Sequence, residues 1–328
     1  MRHLSQTEVI GVELSGKLNG VIIMQFRSFL LGAATAVVAS SLLAGSAGAV
    51  VITNGDFSVG IGANGELYDS DAGVGFRRDG DGFDATAGSG RPDAWSANGA
   101  YAAPFQDPVG VSTTVNSTAP ATATLTTLTD GGLKVVQSYS FVGSNIVSID
   151  TTVTNMGDDP LSVLFGRNVD FNLGLTPDGF FEEHVFAPGV GGQISETSYF
   201  GGEPVDAASP YFGFYSCSVG CDALGDLGAG IKLNLGSLGS LQSTHFTYFY
   251  GLNQTGQAVG NLVDQTKAAG ASYVIAGESV DGSGNAFTFG VGGLAAVPEP
   301  ATWAMMIVGF FGLGAALRRR RAADAFAA

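Results

Sequence analysis

The sequence predicts an all-β fold, an antiparallel β-sandwich with one short helix, and three observations predict it. Glycine fills 50 of 328 positions, roughly twice its usual ~7% share, and that excess favours turns over helices. Apolar residues alternate with polar ones, as in Leu133, Val135, Gln137, Tyr139 and Phe141 against Lys134, Val136, Ser138 and Ser140, the period-2 signature of a half-buried strand. One segment alone, Gln257 to Ala269, has helical spacing. A single short helix among many strands points to packed sheets.

The elements follow in order. The Thr-rich run Thr122 to Thr129 has strand composition, and Asp130-Gly131-Gly132 turns the chain into the strand Leu133 to Phe141. After Gly143-Ser144 comes the strand Ile146 to Val153. Asn155-Met156-Gly157-Asp158-Asp159-Pro160 supplies a turn, and Leu161 to Val169 is expected as the next strand of a meander. Thr151 to Leu164, read as one hairpin, resembles the Ig-like sandwiches of bacterial surface proteins. His245 to Gly251 is an aromatic strand. In the helix, Val259, Leu262, Val263 and Thr266 share one face, and Gly270 stops it.

Both ends carry addresses. Read from Met24 as the start, a basic stretch to Arg27 precedes the apolar run Phe29 to Leu43, and Ala47-Gly48-Ala49 closes it. That is the layout of a Sec signal peptide cut by signal peptidase after Ala49. At the other end, Ala301 to Leu317 is uncharged, and at 1.5 Å per residue it makes a helix of about 25 Å, near the lower limit for a single transmembrane span. Arg318, Arg319, Arg320 and Arg321 follow at once and act as a stop-transfer element that stays cytoplasmic. The expected organisation is a leader over 1–49, an extracellular β-sandwich over 50–297 and a sorting tail over 298–328.

Just before the apolar run stand Pro298-Glu299-Pro300 and, after two residues, Trp303-Ala304. With the Gly-bearing helix and the Arg cluster, this segment resembles the PEP-CTERM sorting tail in its PEPxxWA variant. The resemblance implies processing by an exosortase, a membrane transpeptidase-like cysteine protease of Gram-negative bacteria that make exopolysaccharide. Two prolines in three residues hold the segment extended, a form that a protease at the membrane surface can bind as a strand.

Charge excludes one class of function. The chain has 14 Lys+Arg against 29 Asp+Glu, a formal charge of -15, which argues against a nucleic-acid partner. Residues 50–297 alone carry 25 acidic and 7 basic side chains.

Candidate sites in the body are few. Cys217 and Cys221 are the two cysteines of the chain, and in an oxidising compartment a disulfide is the default. Closing so short a loop is worth roughly 2 kcal/mol, so the bond pins a turn. Free thiols and a metal site are the alternatives, but zinc needs four ligands and only His184 and His245 stand beside them in the mature chain. Asp79, Asp81 and Asp84 lie within six residues, among glycines, with Asp69 and Asp71 nearby. They are a candidate calcium loop. Phe83, Asp84 and Gly90 break the EF-hand pattern, and a solvated loop balanced by Arg77 and Arg78 is the plain alternative.

Gly60-Ile61-Gly62-Ala63-Asn64-Gly65 matches a dinucleotide fingerprint, but the residues after it do not start a helix, so a glycine turn is expected. No Gly-x-Ser-x-Gly elbow occurs, and Glu182-Glu183-His184 is the one acid-histidine cluster. Trp95, Tyr101, Phe105, Tyr199, Phe200, Tyr211, Phe212 and Tyr215 have the chemistry to stack on sugars, although strand aromatics more often build core.

These features lead us to expect a non-enzymatic protein of the cell surface or biofilm matrix. It is exported by Sec, held transiently in the inner membrane and processed at its tail. A carbohydrate-binding module acting on exopolysaccharide is the alternative, and an exported hydrolase follows it. No cofactor is expected beyond calcium at the acidic loop.

Overall fold

The structure is a computed structural model that describes residues 49–68, 72–86, 93–103, 108–175, 177, 182–189, 192–198 and 219–294. Among these residues the protein is all-β with a single helix. The first strands are β1 (Val50–Thr53), β2 (Phe57–Ile61), β3 (Phe76–Arg78), β4 (Phe83–Asp84), β5 (Asp93–Ala97) and β6 (Ala100–Ala102). Longer ones follow: β7 (Val111–Ala119), β8 (Thr122–Thr129), β9 (Leu133–Val142), β10 (Ile146–Asn155) and β11 (Leu161–Asp170). The remainder are β12 (Glu183–Gly189), β13 (Ile194–Ser198), β14 (Val219–Gly225), β15 (Gly228–Leu238), β16 (Ser243–Leu252), α1 (Val259–Ala268), β17 (Ala271–Ser279) and β18 (Ala286–Gly292).

The strands form three antiparallel sheets. Nine strands run in the order β14-β12-β17-β18-β16-β10-β9-β8-β7, five as β13-β15-β11-β5-β6 and four as β1-β2-β3-β4. Alternation sorts each strand of the large sheet into two faces. On its inner face Val147, Ile149, Val153, Phe246, Tyr248, Tyr250, Phe287 and Phe289 are at most 1% exposed and belong to one core with residues of both smaller sheets. Phe165 of β11 is the hinge of this packing. It stacks on Trp95 with ring centroids 5.8 Å apart and meets Phe246 edge-on at 5.1 Å. On the four-stranded side, Phe76 meets Phe287 edge-on at 6.1 Å. The arrangement is a sandwich, with one large sheet covered on its inner face by two smaller ones.

The outer face of the large sheet carries α1. Leu262 and Thr266 are buried there, with Val259 and Val263 packed against Ile146, Phe249, Ala271, Val274 and Ala286. These are the four residues whose spacing predicts the helix face. Gly270 adopts φ +123° directly after it, a conformation that ends the helix and that a side chain would strain.

Expected strands over 122–129, 133–141, 146–153, 161–169 and 245–251 coincide with β8, β9, β10, β11 and β16. The meander does not continue through β11. Both edges of β10 are taken, by β9 and by β16, so β11 has no free edge to join there. It crosses to the five-stranded sheet and pairs with β15 and β5. Asn155 fixes the crossing point, its Nδ2 donating to the Asp159 carbonyl at 2.8 Å and the Leu238 carbonyl at 2.9 Å. Thr151 to Leu164 is accordingly a link between sheets and not a hairpin.

Replacing Phe165 by Ala is expected to cost about 3–5 kcal/mol, as for other large buried aromatics. Met156, 47% exposed in the turn after β10, should tolerate Ala within about 0.5 kcal/mol. Urea unfolding of the two variants beside the native protein checks both.

Candidate functional site

The inner face of β11 reads Val163, Phe165, Arg167, Val169, and all four are at most 1% exposed. Arg167 is thus a cation at an apolar position of a core strand. Its Nη2 donates to Asp93 Oδ2 at 2.6 Å and its Nε to Asp93 Oδ1 at 3.1 Å. Asp93, also 0% exposed, lies on the neighbouring β5. Tyr250 of the large sheet donates its hydroxyl to Asp93 Oδ1 at 2.7 Å, and the guanidinium carbon sits 5.5 Å from its ring centre.

The third sheet joins through the turn after β2. Arg167 Nη2 donates to the Gly65 carbonyl at 3.0 Å, Tyr139 donates its hydroxyl to the same oxygen, and the Leu67 amide donates to Asp93 Oδ2 at 2.7 Å. Gly65 has φ +86°, a conformation that strains any other residue, and a Cβ there would also crowd Gln137 Oε1 at 2.5 Å. Burial alone would lower the Arg167 pKa; the Asp93 carboxylate overrides it and holds the guanidinium charged. Burial raises the Glu66 carboxyl in the same cluster above its ordinary value. Arg167 Nη1 and both amide atoms of Gln137 find no hydrogen-bond partner in this buried cluster. Each such atom costs about 1–3 kcal/mol.

Nothing local in the sequence links Gly65, Asp93, Arg167 and Tyr250. The available signal was an arginine standing in register with Val163, Phe165 and Val169 in an alternating apolar run. The cluster is closed off from solvent and joins the three sheets.

The residues singled out from the sequence are dispersed. Asp79 accepts from Ser58 Oγ at 2.5 Å and Arg77 Nε at 2.8 Å, Asp81 from Arg78 Nη2 at 2.7 Å, and Asp84 from the Gly75 amide at 2.8 Å and Thr86 Oγ1 at 2.7 Å. The hydrogen bond from Arg78 holds the Asp81 pKa below its ordinary value. Among the described residues no three His, Cys, Asp or Glu side chains converge on a common metal position. Each loop carboxylate has its own partner in the chain, and Asp81 pins Arg78, which is 8% exposed and also donates to the Asn253 carbonyl at 2.8 Å and to Asn285 Oδ1 at 2.9 Å. Asp69 and Asp71 lie outside the described residues. The glycine run Gly60 to Gly65 ends β2 in a turn, closed by the Gly62 amide donating to the Glu66 carbonyl at 2.8 Å.

Glu183 and His184 are adjacent in β12, and strand alternation turns them to opposite faces. Glu183 is 0% exposed and accepts from the Leu173 amide at 2.8 Å and the Leu227 amide at 3.3 Å. Burial pushes its pKa up to about 8, with Asp226 and Asp170 pressing the same way. His184 is partly exposed, 2.5 Å from Asp222 and 3.6 Å from Glu278, and the hydrogen bond to Asp222 raises its pKa. No acid-histidine pair forms between them. Trp95 is 1% exposed, its Nε1 donating to the Asn64 carbonyl at 2.8 Å, and is a core residue, not a sugar platform. Tyr101 is half-buried, while Phe105, Tyr199, Phe200, Tyr211, Phe212 and Tyr215 lie outside the described residues.

A cleft of about 430 Å³ opens where Phe83 and Asp84 face Asn172, Leu175, Asp281 and Asn285. Asn285 donates to the Leu173 carbonyl at 2.9 Å while accepting from Arg78, and Asp84 holds Gly75 and Thr86. These polar groups are therefore committed to the chain itself. Cys221 lies in β14 and is not a free thiol, whereas Cys217 lies outside the described residues. Also outside them are Ala47, the sorting residues Pro298 to Ala304 and the arginines Arg318 to Arg321; Ala49 immediately precedes β1, which begins at Val50. No helix among the described residues is long and apolar enough to cross a membrane, and the span expected over Ala301 to Leu317 lies beyond them.

Comparison with known proteins identifies the end of the chain. The family of the PEP-CTERM protein-sorting motif matches residues 296–321. The protein thus carries this motif, which marks a chain for export, passage through the membrane and processing by an exosortase-type membrane protein. No curated protein matches. Among solved structures, a galactose mutarotase-like protein from Lactobacillus casei ATCC 334 is 15% identical, with a TM-score of 0.37 over 74% of this chain and 87% of that one. A putative aldose 1-epimerase from Escherichia coli K12 is 10% identical, with a TM-score of 0.30 over the same shares. Likeness at this level carries no argument about activity.

Two outcomes follow. The Glu183 pKa, about 8 when folded, lies above its ordinary 4.5, so folding favours the protonated acid. That stabilisation is complete below the ordinary value and is lost as pH rises through about 8. Asp226 and His184 are also raised and act with the same sign, so the comparison with Glu183→Gln is the informative one. Its melting temperature should fall less steeply between about pH 5 and about pH 9 than that of the native protein. Separately, because each loop carboxylate has its own protein partner, melting curves in chelator and in calcium at matched ionic strength should superimpose; a calcium-dependent rise lost in Asp81→Asn would show a metal site.

Proposed function

We propose that this protein is a non-enzymatic component of the cell surface or extracellular matrix, delivered there by cleavage of its sorting tail. The observation that carries the reading is the motif over residues 296–321, in which Pro298-Glu299-Pro300 and Trp303-Ala304 precede an uncharged run and four arginines. In this reading the Sec leader is removed after Ala49. The C-terminal helix then holds the chain in the inner membrane while Arg318 to Arg321 stay in the cytoplasm, and an exosortase-type protease binds the extended proline segment and releases the domain. Support for a structural role comes from how the carboxylates are used: Asp79, Asp81, Asp84, Asp93 and Glu183 all hold other parts of the chain. A Cys217–Cys221 disulfide at the start of β14 belongs to the same proposal, and suits a chain that matures in an oxidising compartment.

Intact-mass analysis of the protein from its native host tests this. The expected chain starts at Val50 and ends near Pro298 to Ala301, with a mass lower by two hydrogens for the disulfide. Pro298→Ala/Pro300→Ala should let the helix extend upstream and leave uncut protein in the inner membrane. A mature wild-type chain that retains Arg318 to Arg321 would contradict the proposal.

A further inference from the structure

The outer face of the large sheet, beside and beyond α1, is unlike its inner face. Strand registers align four rows across β8, β9, β10 and β16: Thr124, Ser138, Asp150, Thr247; Thr122, Ser140, Ser148, Phe249; Thr126, Val136, Thr152, His245; and Leu128, Lys134, Thr154, Ser243. Ten of these sixteen positions carry a hydroxyl; Ser148 and Thr247 are buried, which leaves eight on the accessible part of the face. Rows repeat roughly every 6.7 Å along the strands and about every 4.8 Å across them.

The hydroxyls are paired across strands. Thr124 and Ser138 are 3.1 Å apart, Ser140 and Ser148 3.0 Å, and Thr154 and Ser243 2.8 Å, while Thr247 donates to Asp150 at 2.6 Å. In the Thr124/Ser138 and Thr154/Ser243 pairs one of the two protons is consumed, so one donor and several lone pairs per pair are left for a partner, whereas Thr247 gives its proton to Asp150 and Ser148 also donates to the Ser140 carbonyl at 3.3 Å. Pairing also restricts the hydroxyl rotors, which lowers the entropy cost of engaging them.

Charge selects the partner. The chain carries a formal charge of -15, yet across these rows Lys134 offsets Asp150. A polyanion is repelled by the rest of the molecule, and a polycation would find its carboxylates elsewhere. Protein interfaces are built around Phe, Tyr, Trp, Met and Arg anchors, and the one such residue in the rows, Phe249, is already packed against α1. What matches a neutral lattice of donors and acceptors is another neutral, hydroxyl-rich surface. We propose that this face binds a neutral polysaccharide through its Ser/Thr rows, without an aromatic platform. The inference is independent of tail processing.

The test is retention of the host-purified protein on microcrystalline cellulose and in dextran affinity gels, with alginate as the polyanionic probe. Retention by at least one neutral glucan is expected, unchanged on raising NaCl to about 0.5 M, where charge contacts beyond a few ångströms are screened. Thr124→Val/Ser138→Ala/Thr154→Val/Ser243→Ala should weaken it by about ten-fold or more, with a nearly unchanged melting curve because none of the four positions is buried and both members of each hydroxyl pair are removed together, leaving no polar atom stranded. Should the fourfold variant fold poorly, Thr124→Val alone, a substitution that favours a strand, should still reduce retention measurably. Binding to alginate only, binding abolished by salt, no retention by either neutral glucan, or retention unaffected in the folded variants would overturn the proposal. Failure here leaves the mass analysis of the tail untouched, so the two readings fail separately.

Discussion

A buried ion pair holds this protein's three sheets in one arrangement. Arg167 and Asp93 are both wholly buried, and removing two charges from water costs several kcal/mol per ion unless geometry and further hydrogen bonds repay it. Repayment here comes from all three sheets: Tyr250 from the large one, the Gly65 carbonyl and the Leu67 amide from the turn beside the small one, and the pair itself from the third. A shift of any sheet by one residue would leave a bare charge in the core. Apolar contacts such as Phe165 on Trp95 and Phe246 supply the bulk of the burial. They are less particular about register, because apolar burial is not directional.

Strand alternation decides what each residue is available to do. Successive side chains point to opposite faces, so neighbours in sequence are rarely partners in chemistry. Glu183 and His184 show the consequence, one buried against backbone amides and the other on the surface between Asp222 and Glu278. The same rule gives β8, β9, β10 and β16 an apolar inner face and, beside and beyond α1, a hydroxylated outer one.

Legibility in the sequence followed the range of the interactions. Strands β8, β9, β10, β11 and β16 and the face of α1 were readable because period-2 and period-3.6 patterns are local. The PEP-CTERM motif was readable for a related reason, its three parts standing in fixed order within one short segment. Pairing beyond neighbours was not readable: nothing near β11 says that both edges of β10 are occupied by β9 and β16. Asp93 and Arg167 lie 74 positions apart, and the Gly60 to Gly65 run looks like a nucleotide loop until Gly65 is seen receiving Arg167 and Tyr139. Asp79, Asp81 and Asp84 resembled metal ligands because their sequence spacing says nothing of Arg77, Arg78 and Thr86 taking them individually.

The central claim is that Arg167 and Asp93 act as one unit in joining the sheets, and a double-mutant cycle tests it most directly. Arg167→Met and Asp93→Asn would be made singly and together in the purified protein, and unfolding free energies measured by urea titration at neutral pH. Each single change should cost about 3–5 kcal/mol, because each strands a buried partner. The double variant should be less destabilised than the sum by well over 0.5 kcal/mol, the usual tolerance for independent sites. Additive losses within that tolerance, or a single variant as stable as the native protein, would contradict the account.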